Sequence, residues 1–211
     1  MSSKRHSILP AIDRSGPKPP VNFSSTLTIS DNAILQGTHS ITMQSETVVH
    51  PRSRFESNIG SILIGRRCII HERAHIGARP EDLDRAKPGG VALGDYVIVE
   101  VGTVVESGNT EIGEGTTVQV GSRIGSGAKV GKVCKRAVCQ RSHELMALKH
   151  CTISSMSVIA PGEIIPDSTT VYSNGLRRTD KRDVGELRKL GIVKQISVLR
   201  KMIPSNPDKF K

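Results

Sequence analysis

His71 and His75 stand four residues apart, an HxxxH spacing. On an α-helix that spacing sets two imidazoles on one face, as zinc sites require. His50 sits before Pro51, and His143 and His150 lie in a stretch rich in basic and polar side chains. A histidine serving as a general base needs a cleft that brings the substrate's proton within hydrogen-bond reach. Cys134 and Cys139 are flanked by Lys132, Lys135 and Arg136, a setting that favours thiolate. Cys68 and Cys151 complete the four cysteines, and no two form a CxxC pair. What any of these groups can do depends on the elements that carry them.

Those elements follow a period of six. From Leu93 an aliphatic residue returns at Val99 and Val105, then after one extra residue at Ile112, Val118, Ile124 and Val130. Glycine follows at Gly94, Gly113, Gly125 and Gly131. This hexapeptide pattern predicts an all-β solenoid, a parallel β-helix. Each short strand sends one aliphatic side chain into a prism, and a small residue takes the corner. Three hexads make a triangular coil whose strands pair with those of the next coil. A lone coil cannot bury its own apolar side, so coils must stack.

Upstream, Leu27, Ile29, Leu35 and Ile41 open the frame. It slips by two to Met43, Val49 and Phe55, leaving open whether Ile41, Met43 or both point inward. Phe55 to Asn58 reads as a small excursion before Ile64, Ile70 and Ile76. Residues 78–92 hold PEDLDRAKPGG, a charged Pro/Gly-rich stretch that predicts a projecting loop, either a recognition element or a tolerated insertion. The frame dissolves across 132–148, where Ala147 is one candidate inward residue, then returns at Ile153, Ile159, Ile165 and Val171. That allows about seven coils, roughly 30 Å of prism. Val184, Leu187, Leu190, Val193, Ile196, Leu199 and Ile203 then recur at three and four, the stripe of an amphipathic helix stopped by Pro204. The expected division is an arm over 1–25, disordered or loosely docked, the β-helix over 26–175, and a C-terminal helix and tail over 176–211. The helix is expected to lie on the prism through Leu187, Leu190, Val193 and Ile196, with its cations outward.

Composition agrees with a narrow core. Aromatics are 2% of 211 residues, with no Trp and two Tyr. Net charge is +10, but residues 1–28 carry +3, residues 176–211 carry +7, and the body between them is neutral. A basic groove with interleaved aromatics is missing, which argues against nucleic acid. An acidic protein surface suits a basic tail better. The tail helix could instead rest on a membrane surface, but its apolar stripe has a use in packing on the prism. The first twenty residues lack an apolar signal core and no run is long enough to span a bilayer, so direct membrane insertion is not expected. Free thiols in a reducing compartment follow.

Several segments carry a resemblance: Val49 to Arg52, Ile70 to Ala74, Ile164 to Tyr172, Leu176-Arg177-Arg178, and Leu199 to Pro204. With the coils and the tail they make the chain similar to the dynactin subunit 6 family of left-handed β-helix proteins. That superfamily also holds acyltransferases and γ-class carbonic anhydrases. Ser154 departs from the glycine expected after Ile153, and the proline-rich arm is extra. The resemblance implies left-handed coils, an exception to the usual crossover rule. It also implies a non-catalytic scaffold subunit at dynactin's pointed end, cytoplasmic and cytoskeleton-associated, which helps dynein engage cargo. The implied partners are a dynactin subunit 5-like β-helix, the pointed-end actin-related protein and other dynactin subunits, in a hetero-oligomer.

The alternative is a hexapeptide-repeat enzyme, an acyltransferase or a γ-class carbonic anhydrase-like homotrimer. The anhydrase pattern needs a Gly-His pair with a further histidine five residues on, and this chain has no Gly-His dipeptide. On coils rather than a helix, His71 and His75 need not converge. His50, His71 and His75 are therefore read as corner or surface residues, and Cys134 and Cys139 as small fillers. No catalytic residue, cofactor-binding residue, metal ligand or cofactor is assigned.

Overall fold

Residues 16–80, 88–131, 150–180 and 184–210 are described in a computed structural model of the chain. The hexads build a triangular prism of seven coils with three parallel sheets as its faces. The first face stacks Val21–Phe23, Ile41–Met43, Ile62–Ile64, Val91–Leu93, Thr110–Ile112, Lys129–Val130 and Ile164–Ile165. The second stacks Thr28–Ile29, Val48–Val49, Ile69–Ile70, Ile98–Val99, Thr117–Val118, Thr152–Ile153 and Thr169–Val171, closed by the antiparallel strand Arg177–Thr179. The third runs from Ile34–Gly37 through Arg54–Ser57, His75–Ala78, Val104–Glu106 and Arg123–Ile124 to Val158–Ile159.

The register is that of the sixes. Val99, Val105, Ile112, Val118, Ile124 and Val130 are fully buried in one core that runs the length of the prism. Ile41 and Met43 both point inward. Most first-face strands have three residues, so positions one and three both face the core, and Ile41↔Ile62 and Met43↔Ile64 pair without interruption. The seven-residue step from Val105 to Ile112 has its own cause. The third-face ladder shifts between Val105 and Glu106, so that Glu106 pairs with Ala78 and skips Gly77. Two of the buried corner hydroxyls are satisfied by the neighbouring backbone: Thr47 Oγ1 donates to the Gly65 carbonyl at 2.9 Å and Ser53 Oγ to that of His50 at 2.8 Å.

Several expectations need adjusting. Val21–Phe23 lies within the stretch read as the arm over 1–25, yet it is the first strand of the first coil and pairs with Ile41–Met43. Only three residues long and preceded by prolines, it offers no hexad to recognise. The excursion at Phe55 to Asn58 is mostly strand, with Ser57 Oγ donating to the His39 carbonyl at 2.7 Å. Residues 81–87 of the 78–92 loop and all of 132–148, with Ala147, lie outside the described residues.

Ahead of a short 3-10 turn over Pro207–Phe210, the tail forms the α-helix α1 (Gly185–Met202). Glu186 in its first turn and Arg200 and Lys201 in its last suit the helix dipole. Its packing face differs from the expected one. Ile192 and Ile196, with Leu199 and Ile203, meet Val48, Ile69, Tyr96 and Ile98 on the outside of the second face. Of the four side chains expected inward, only Ile196 is buried; Leu187, Leu190 and Val193 face solvent. Apolar residues nearly encircle this helix, so periodicity alone offers two competing stripes. The aliphatic patch on the sheet selects between them, aided by Lys189, which pairs with Glu114 at 2.7 Å and sits 4.9 Å from the centre of the Tyr96 ring.

Candidate functional site

His50 follows Val49 and His71 follows Ile70, and those strands pair in register. The two histidines therefore occupy the same corner one coil apart. Their rings stack with centroids 4.6 Å apart and planes 30° from parallel. Burial holds both imidazoles below their ordinary pKa, and the neighbouring His71 pushes His50 further down. His75 begins the next face and turns to Glu56, Nε2 to Oε2 at 3.0 Å. Burial lowers its pKa as well, with Glu56 opposing. The HxxxH pair is thus split: one ring stacks backward along a corner and the other meets a carboxylate on the third face. The signal for the His50–His71 stack was in the sequence, because each histidine directly follows an inward aliphatic residue.

Among the described residues no group of three His, Cys, Asp or Glu side chains is placed to hold a metal ion. His150 is buried beside Gly115. Burial pushes the Cys68 thiol up to about 12, and its Sγ donates to the Gly94 carbonyl at 3.1 Å. Cys151 is likewise raised by burial and donates to the Pro166 carbonyl. Both are core fillers and poor nucleophiles at neutral pH. His143, Cys134 and Cys139 lie outside the described residues.

The lowered imidazoles make stability depend on pH. In the unfolded chain these histidines bind protons near pH 6.5, while the folded chain resists them until lower pH. The unfolded state then holds more protons, so stability falls as pH drops through that value. Chemical denaturation at pH 7 and pH 5 should show this loss. His50→Gln with His71→Gln should shrink it, and an unchanged slope would mean the stack carries none of it.

The prism's ends differ. At the first coil, Gly37 N donates to the Pro17 carbonyl at 2.9 Å and covers the edge of the third face. Ser205 Oγ accepts from Ile29 N at 2.9 Å and covers the edge of the second. Lys209 Nζ donates to the Asp31 carbonyl at 3.0 Å, and Phe210 packs on the core beside Val21, Phe23 and Leu35. At the far end, among the described residues, only the second face is closed, by Arg177–Thr179. Val158–Ile159 and Ile164–Ile165 are the last strands of their sheets, with Val158 and Ile164 about 70% exposed on the outside. Pro17 and Ser205 seal one edge each at the first coil, and two sheet edges have no partner strand at the other end, among the described residues.

A triangular prism of hexads with this topology defines the class: the chain is a left-handed parallel β-helix of the hexapeptide-repeat kind. The solved structures it matches include a hexapeptide transferase family protein from Anaplasma phagocytophilum, TM-score 0.65 at 12% identity over 87% of this chain and 96% of that one. They also include a candidate acetyltransferase from Bacillus cereus, TM-score 0.62 at 16% identity over 88% and 93%. At that identity the likeness concerns the fold alone. In sequence the chain is similar to dynactin subunit 6. The zebrafish protein of that name is 27% identical over 170 residues, 78% of this chain and 75% of the relative. That of Nematostella vectensis is 25% identical over 166 residues, 76% and 77%. No family model matches the chain.

Proposed function

We propose that this chain is a non-catalytic scaffold subunit of the dynactin pointed-end complex, in the cytoplasm and associated with the cytoskeleton. There it supports dynein-driven, microtubule-based transport and cargo engagement. The observation that carries the reading is the similarity to dynactin subunit 6, which spans three-quarters of both chains. The fates of His50, His71, His75, Cys68 and Cys151 are consistent with it, since each is spent on packing, stacking or an ion pair. Its neighbours are a subunit 5-like β-helix, the pointed-end actin-related protein and other dynactin subunits. The end of the prism with unpaired strands offers backbone groups and apolar surface to a second β-helix, and edges of that kind are capped or used.

Affinity purification from native cells, read by mass spectrometry, tests the proposal. Dynactin components should be recovered, foremost the subunit 5 homologue and the pointed-end actin-related protein. A self-trimer recovered alone, with acyl transfer or carbonate dehydration activity, would replace this reading with the hexapeptide-enzyme one.

A further inference from the structure

α1 shows solvent a second apolar face, opposite the one it buries. Thirteen large hydrophobic side chains of the described residues are exposed, and five of them (Leu187, Leu190, Val193, Val198 and Met202) are on this single helix. At 100° per residue, Leu187, Leu190, Val198 and Met202 fall within an arc of about 120°. Leu187 and Met202 are 70% and 71% exposed. Gly191 lies in the same arc, and a Cβ built on it would meet nothing within 4 Å. A glycine there weakens the helix by roughly 0.5–1 kcal/mol and has no positive φ to explain it. It does leave a notch between apolar ridges, where another backbone can approach closely.

The charges on this face indicate what would fit. Lys194 and Lys201 lie inside the arc and make no ion pair among the described residues, whereas the inward-leaning Arg188 and Lys189 are matched by Asp180 and Glu114. Glu186 is the helix's single acidic residue. A second copy would set lysines against lysines. A bilayer would have to accept two lysines at the middle of the apolar arc, where interfacial helices keep their cations on the opposite side. We infer that the outer face of α1 is a docking site for an acidic amphipathic helix, which lays an apolar ridge across Gly191 and sets carboxylates against Lys194 and Lys201. This surface is distinct from the prism end used in the proposed assembly, so either reading can fail alone.

The probe is a fluorescent amphipathic peptide of 18 residues, the length of α1, with a leucine stripe flanked by glutamates. A twin carries lysines in place of the glutamates. The acidic peptide should bind saturably, and more weakly as salt is raised. Leu187→Glu with Val198→Glu, or Gly191→Leu alone, should weaken it about tenfold or more without lowering the melting temperature. Lys194→Glu with Lys201→Glu should reverse the preference to the lysine twin. Equal binding of both peptides, or indifference to these variants, would overturn the inference. So would binding to phosphatidylserine vesicles in place of the peptide, or dimerisation through this face in ultracentrifugation.

Discussion

Val118→Asp should leave the chain insoluble, or cost it about 3 kcal/mol or more, because an unpaired carboxylate would sit in the middle of the prism. Val118 is fully buried and stacks in register with Val99 below and Ile153 above. The neighbouring Thr117 belongs to the same strand but faces outward by alternation and is only partly buried. Thr117→Asp should therefore cost less than about 1 kcal/mol, within the range of surface substitutions. Denaturant unfolding of the soluble fraction separates the two. Similar damage from both variants would contradict the hexad register.

Gly77→Ala should be the more damaging of two glycine substitutions. Gly77 has φ +83°, and a Cβ there would lie 2.2 Å from the Glu56 carbonyl oxygen of the coil below. Strain at such a φ costs roughly 1–3 kcal/mol, and the backbone clash adds to it because neither coil can move without breaking its ladder. Gly102 has φ +67° and nothing within 4 Å of the added carbon. Gly102→Ala should thus show the conformational part alone, about 1 kcal/mol. Melting temperatures of the pair measure the difference. Equal losses would mean that the spacing between coils relaxes more easily than a ladder of parallel strands allows.

Much of the architecture could be read from spacing, because a prism asks only for an aliphatic residue every sixth position, and Ile64, Ile70, Val118 and Ile165 obey. Where two constraints overlap, spacing was silent. Ile41 and Met43 are two apart and both inward, since the first-face strands are a residue longer than a hexad rule supposes. The helix face was misjudged for a related reason: Leu187 and Leu190 fit the period as well as Ile192 and Ile196. Only the aliphatic patch of Val48, Ile69 and Ile98 separates the stripes, and those residues lie some hundred positions away in the chain. As for sites, the coil frame already allowed His71 and His75 to stand apart, but spacing along the chain names neither one's neighbour. In a solenoid the relevant neighbour is one coil away, and that is where His71 finds His50.

The seal on the first coil has a consequence for biosynthesis. The edge strand Thr28–Ile29 leaves the ribosome some 175 residues ahead of its cover, Ser205. At ordinary elongation rates that delay is roughly 10 to 35 s. A nascent prism therefore grows for most of its synthesis with an unpaired edge and an unplugged core at its oldest end. Two such chains on one polysome could join there, edge to edge, before either has made its own stopper.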